Sequence, residues 1–285
     1  MSSTKIDADA FRAQYGPWAL VAGASDGIGE CFAKQAAQLG LNLVLLARRE
    51  EMLEALARDL RNAHGIETRV LVADLTGVDL DQKVENATSD LEIGLLVYNA
   101  GAVHGARKFH DQPVEHALGL VDLNCRGPVL LSHRLGQGMR ARGRGGIVLL
   151  TSLSAFSGSS YTATYAATKS FDKVLAEALW HEMAPEGVDV LSVVAGATRT
   201  PSMLTSNPAF EDYPGIMEAE EVAEGALRNL GRGPVWVAGK ENRAAAAGMS
   251  PVPRTDLING MSQATAQVYG LPFQEAKGTD FPDLD

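Results

Sequence analysis

The chain has 285 residues, 46% of them apolar, 29 glycines and a formal charge of −10. That length and apolar content fill one large α/β core, and the acidic balance excludes a nucleic-acid footprint, which needs clustered Lys and Arg. No run approaches the eighteen or so apolar residues of a membrane span; the polar start MSSTKIDADAFRAQYG has no signal-peptide centre.

After this N-terminal extension (1–16), Trp18 to Ala22 is a short apolar run, followed by Gly23-Ala24-Ser25-Asp26-Gly27-Ile28-Gly29 and a helical pattern from Glu30 to Leu39. A strand, a glycine turn and a helix in that order let the backbone approach a pyrophosphate and seat it on the helix N-terminus. Gly23, Ser25, Gly27, Ile28 and Gly29 are therefore candidate dinucleotide contacts. Their spacing is G-x3-G-x-G, not the G-x-G-x-x-G of two-domain dehydrogenases.

Leu41 to Leu46 is a continuous apolar strand, as expected where both faces are covered. An NAD site usually places an Asp or Glu at this strand end, but here stand Ala47, Arg48 and Arg49. Guanidinium suits a 2′-phosphate, so NADP(H) is expected over NAD(H), with Arg48 as main contact, Arg49 beside it and Ser25 as a neighbour. The strand Arg69 to Val72 ends in Ala73-Asp74-Leu75, where Asp74 accepts from an adenine amine or caps the next helix. Leu95 to Tyr98 ends in Asn99-Ala100-Gly101, a small exit that lets the backbone pass close to a cofactor.

A helix is expected from about Val114 to Arg140, kinked at Pro128, which deprives the Asn124 carbonyl of its partner. Asn124 could then hold an ordered water; the alternative is a merely bent core helix. Arg140, Arg142 and Arg144 read as a solvated loop that complements the helix dipole. The strand Ile147 to Leu150 delivers Ser152, and the helix Tyr161 to Met183 delivers Tyr165 and Lys169, one turn apart on one face. An ammonium beside a phenol favours the phenolate, which equips Tyr165 to exchange protons near neutral pH while Ser152 holds a substrate oxygen. Phe171, Val174, Leu175, Ala178 and Leu179 form the stripe expected to face the core. The small face of Ala163, Ala166, Ala167 and Ser170 suits close approach of a second copy or of an internal neighbour.

The strand Val190 to Val194 leads to Gly196, Thr198 and Thr200. Met203, Leu204, Phe210, Tyr213, Ile216 and Met217, in the loop 201–217, read as a substrate lid or as loop anchors. A helix Glu218 to Asn229 and a strand Val235 to Ala238 complete the main unit, 17–248. The remainder, 249–285, holds a weakly amphipathic helix, Asp256 to Tyr269, and an acidic tail. Cys31 and Cys125 read as small buried residues in a reduced compartment, which makes the cytoplasm the expected location. No histidine or cysteine stands at metal-ligand spacing, so no metal is assigned.

Four motifs in order, Gly23 to Gly29, Asn99-Ala100-Gly101, Ser152, and Tyr165 with Lys169, resemble the short-chain dehydrogenase/reductases over about Trp18 to Ala238. The resemblance implies a single-domain Rossmann fold, a doubly wound parallel sheet of about seven strands with helices on both faces. It implies that Tyr165 is the general acid/base, that Ser152 positions the carbonyl oxygen, that Lys169 binds nicotinamide ribose, that Asn124 holds a relay water and that Thr200 meets the carboxamide. Homodimers or homotetramers are common in the family. Ala22, Tyr98, Ala195 and Asp26 depart from its usual threonine, asparagine, proline and basic residue. The expected activity is interconversion of a ketone and a secondary alcohol on an apolar steroid, aryl or acyl-chain substrate. The competing readings are NAD dependence, a catalytically idle dinucleotide-binding regulator, and sugar-nucleotide epimerisation, for which the chain lacks the G-x-x-G-x-x-G turn.

Overall fold

The computed structural model describes residues 6–101, 105–249 and 251–275, so the expected acidic tail lies largely outside the described residues. Asp7, whose carboxylate accepts from the Asp9 and Ala10 amides (3.1 Å each), starts helix α1, Ala8–Tyr15. There follow β1 (Trp18–Ala22), α2 (Gly27–Gln38), β2 (Asn42–Ala47), α3 (Glu50–His64), β3 (Thr68–Val72), α4 (Leu80–Thr88) and β4 (Ile93–Tyr98). The second half runs α5 (Val114–Val121), α6 (Gly127–Arg142), β5 (Gly145–Ser152), α7 (Ala163–Met183) and β6 (Val188–Ala195). A two-residue pair, β7 (Thr198–Arg199) with β8 (Met217–Glu218), brackets helix α8 (Pro201–Ser206); α9 (Ala219–Asn229), β9 (Val235–Val237), α10 (Lys240–Met249) and α11 (Arg254–Tyr269) complete the chain.

Seven strands form one parallel sheet in the order β3-β2-β1-β4-β5-β6-β9. β1, β4 and most of β5 and β6 are fully buried, which explains their unbroken apolar runs. One core layer gathers α1, α2, α3 and α9 on one face of the sheet; the other gathers α4, α6 and α7. The order reverses between β1 and β4, and in such sheets ligands bind beyond the carboxyl ends of the strands at that switch.

The opposite end of the sheet is closed by the N-terminal extension. Tyr15 donates to Asp189 at 2.8 Å. Arg144 donates to the Gly16 carbonyl at 2.8 Å and pairs with Glu92, Arg142 donates to the Ile93 carbonyl at 2.6 Å, and Arg140 pairs with Glu186. The three arginines are thus latches between elements, not a solvated loop; the carbonyls they meet come from segments distant in sequence.

Two helical expectations change. The bend near Pro128 is a π turn over Asp122–Arg126, in which the Gly127 amide donates to the Asp122 carbonyl, and Pro128 sits in the first turn of α6. On α7, Leu175 and Leu179 pack on the core, but Phe171 and Val174 are 43% and 60% exposed. The buried face runs instead through Ala166, Lys169, Asp172, Ala176 and Met183, because the lysine must reach the sheet end. Of the small face, Ala166 is buried and the Ser170 hydroxyl donates to the Ala155 carbonyl at 2.8 Å, an internal contact, whereas Ala163 and Ala167 are exposed.

Candidate active site

The carboxyl end of β1 turns through Gly23 at φ +83°, a conformation that L side chains rarely adopt, and a Cβ there would lie 2.9 Å from the Ala100 amide nitrogen. A Cβ on Gly29 would overlap the Gly23 carbonyl oxygen and the Asn99 amide. The turn is compressed against β4, and the Asn99 side chain braces it by donating to the Gly23 carbonyl at 3.3 Å. This brace offsets the hydroxyl that Ala22 does not supply. Gly27 opens α2, and a Cβ there would meet the Thr200 methyl at 2.9 Å, so the loop after β6 folds back onto the glycine turn. Ser25 is buried and Ile28 half-buried.

Beyond β2 the two arginines separate. Arg49 donates to the Ser25 hydroxyl from Nε (3.2 Å) and Nη2 (2.9 Å) and reaches Asp26 at 3.2 Å. Arg48 lies toward Asp74 instead. The Thr76 amide and hydroxyl, 2.9 and 2.8 Å from Asp74 Oδ1, hold that carboxyl below its ordinary range, with Arg48 and Lys83 adding to the effect. Asp74 thus closes a local turn and does not cap α4, whose N-terminus follows Asp79, while Leu75 beside it is buried. Of the two arginines, Arg49 is the one in contact with the glycine turn.

At the end of β5 the Ser152 oxygen accepts the Ser154 amide at 3.2 Å, which leaves its own proton to donate elsewhere. Half-buried Tyr165 sits in the first turn of α7, lining a cleft with Gly105, Gln112, Leu120, Tyr161 and Thr164. Lys169 is 4% exposed; its Nζ donates to the Leu150 carbonyl at 2.8 Å and lies 3.2 Å from where a Gly101 Cβ would stand. Asn124, fully buried on the π turn, donates to the Thr168 hydroxyl at 3.0 Å, and that hydroxyl donates to the Tyr165 carbonyl at 2.8 Å. So Gly101, Asn124, Leu150 and Lys169 meet at one point, with Ser152 and Tyr165 on the neighbouring turns of the same elements. Gly196 is pressed against Asn242 of α10, and the Thr198 hydroxyl returns to the Gly196 carbonyl at 3.1 Å.

Two features escaped the sequence reading. Asp172 is 1% exposed and reaches Lys169 Nζ at 3.2 Å. Helix α11 ties the segment after β5 to the segment after β6. Ser159 bonds Thr265 at 2.7 Å and the Ser160 amide donates to Ser262 at 2.9 Å, while Asn207 donates to the Val268 carbonyl at 2.7 Å. Tyr269 stacks edge-on against Phe210 and faces Tyr165, and burial raises its phenol above the ordinary range. Phe210 and Met217 anchor the 201–217 segment, and Met203 and Leu204 are half-buried on α8.

Among the described residues no cluster of His, Cys, Asp or Glu is arranged to hold a metal, and no helix is long and apolar enough to cross a membrane. The family profile "short chain dehydrogenase" matches residues 17–210. A curated relative, the 7beta-hydroxysteroid dehydrogenase of Clostridium sardiniense, is 32% identical over 250 residues, covering 87% of this chain and 95% of its own. The human "Inactive hydroxysteroid dehydrogenase-like protein 1" is 33% identical over 196 residues, covering 68% and 59%. A solved short-chain dehydrogenase from Sphingobium yanoikuyae, in complex with NADPH, matches 94% of this chain and all of its own at 30% identity with a TM-score of 0.75. With its reversed parallel sheet, glycine turn and matched profile, the chain belongs to the short chain dehydrogenase family and is an oxidoreductase of CH–OH and C=O groups.

Proposed function

We propose that the chain is an NADP(H)-dependent oxidoreductase that interconverts a ketone and a secondary alcohol on a bulky apolar substrate, with steroids as the first class. The observation that carries this reading is the convergence of Lys169, Asn124, Gly101 and Leu150 at the carboxyl end of the sheet, with Ser152 and Tyr165 on the neighbouring turns of the same elements. Hydroxysteroid dehydrogenases among its relatives support the substrate class. The bound nicotinamide supplies or accepts the hydride.

The cofactor fits the chain's own residues. A Cβ at Gly29 would fill the turn, and Asn99 Oδ1 is buried with no hydrogen-bond partner among the described residues. Gly23, Gly27, Ile28 and Gly29 present α2 to the pyrophosphate. Arg49 and Arg48, with Ser25, take the 2′-phosphate. Asp74 and Leu75 flank the adenine; Asn99, Ala100 and Gly101 line the ribose path; Gly196, Thr198 and Thr200 border the nicotinamide. Ser152 donates to the substrate oxygen. Tyr165 gives that oxygen a proton in reduction and takes it back in oxidation; Lys169 holds the ribose hydroxyls and favours the phenolate, and Asn124 holds the relay water. Two free thiols, Cys31 and Cys125, suit a cytoplasmic location. The exposed Leu118, Val121, Phe171 and Val174 on adjoining α5 and α7 suit a homodimer or homotetramer.

The test is loss of NADPH absorbance with steroid, aryl and acyl-chain ketones. Tyr165→Phe is expected to lower kcat by about 10³-fold, within or above the usual range for a general acid, with NADPH affinity unchanged; retained turnover sinks the assignment. Arg49→Ala and Arg48→Ala should each weaken NADPH about 10-fold or more, as removal of a charged hydrogen bond does, and leave NADH binding as it was; equal losses for both cofactors sink the 2′-phosphate reading. NADPH binding with silence across all three ketone classes would favour the idle regulator.

A further inference from the structure

The buried face of α7 holds a charge that the reading above does not use. Lys169 and Asp172 are 4% and 1% exposed, and they meet at 3.2 Å through Nζ and Oδ2. The second carboxylate oxygen, Oδ1, is buried with no hydrogen-bond partner among the described residues. A carboxylate placed there is expensive, because burial disfavours its charged form, and truncating it to an apolar residue would be the cheaper way to fill the space. Burial pushes Asp172 up to about 6, while Lys169 acts in the opposite sense.

The groups that face this carboxyl come from three elements. Lys169 lies one turn back on α7, Tyr98 stands at the end of β4, and Cys125 belongs to the π turn. Tyr98 is spoken for: its hydroxyl donates to the Leu123 carbonyl at 2.6 Å. Burial, with Asp172 nearby, drives the Tyr98 phenol above its ordinary range and the Cys125 thiol up to about 11. Both are therefore neutral near pH 7, and among the described residues Lys169 is the one cation facing the carboxylate.

We propose that Asp172 is a positioning residue for Lys169: it anchors the ammonium beside Gly101 and offsets its charge, and so sets the pH range over which Tyr165 changes hands with a proton. The inference rests on the assignment of Tyr165 and Lys169 in the preceding section. An unopposed ammonium stabilises the Tyr165 phenolate more than one with a carboxylate 3.2 Å away. In ketone reduction Tyr165 must be protonated, so activity falls on the alkaline side as the phenolate forms. Removing the Asp172 charge favours the phenolate and moves that fall to lower pH. Acid weakens the pair as well, since burial raises the Asp172 carboxyl above its ordinary range.

The experiment is the pH profile of kcat/KM for NADPH-dependent ketone reduction, from pH 5 to 10, in wild type and in the near-isosteric Asp172→Asn. The expected result is an alkaline limb about one pH unit lower in the variant, a tenfold shift in proton concentration. A purely structural residue would lower the melting temperature or kcat and leave that limb in place. Unmoved limbs in a folded, NADPH-binding Asp172→Asn overturn the proposal. Asp172→Ser serves if the asparagine variant does not fold. If neither folds, Asp172→Glu, which keeps the carboxylate, decides: an alkaline limb at the wild-type position supports the proposal, and one displaced to lower pH overturns it. Tyr165→Phe runs alongside. If it stays active, the underlying assignment fails; if it is dead while Asp172→Asn titrates as wild type, the assignment stands and the role of Asp172 falls.

Discussion

The two ends of the parallel sheet are closed by different side chains. At the amino end, long side chains close on one another: Tyr15 on Asp189, Arg144 on Gly16 and Glu92, Arg142 on Ile93. At the carboxyl end a glycine turn lies against backbone, and Asn99 Oδ1 is buried with no hydrogen-bond partner among the described residues. Hydrogen-bonded polar groups add stability, and a buried one without a partner subtracts from it unless a ligand meets it. One end latches elements together, and the other is shaped by the glycine turn.

This contrast can be broken by substitution. The largest effect falls at the carboxyl end: beyond the Tyr165→Phe loss already described, Gly29→Ala puts a methyl group into the Gly23 carbonyl and should weaken NADPH at least about 100-fold, some 2.7 kcal/mol. Tryptophan-to-nicotinamide energy transfer or calorimetry would read it; binding within a few-fold of wild type would mean that the turn does not hold the dinucleotide. The smaller effect falls at the amino end. Tyr15→Phe removes the 2.8 Å bond to Asp189 and should lower stability by about 1–2 kcal/mol, a few degrees in Tm, with kcat unchanged. A matching fall in kcat would show that the two ends are not separable.

Much of the carboxyl end was legible in the sequence because its signals are local. Glycines at fixed offsets after an apolar strand, small residues at a strand exit, and a phenol and an amine one turn apart each carry their geometry within a few positions. Asp172 was not legible, since three residues past a lysine a polar side chain reads as solvated, and only the tertiary packing of α7 turns it inward. For the same reason the apolar stripe predicts Phe171 and Val174 in the core, whereas both lie outside. Arg48 and Arg49 part at the strand end, where adjacent side chains diverge. Helix α11 reaches Ser159 across 106 residues, a separation that no short-range pattern encodes.

The π turn over Asp122–Arg126 shifts the rotational phase of the helical path. An α-helix advances 100° per residue, so a turn closed by an i to i+5 bond, as between Asp122 and Gly127, holds one residue more than an α turn. Helices α5 and α6 consequently keep separate rotational frames, although the chain never leaves the helical path between them. The offset lets Asn124 point fully inward while Val121 and Val129 on either side face out. Any single-residue deletion within those five positions would bring the two frames into one, and would rotate either Asn124 out of the interior or α6 off the sheet.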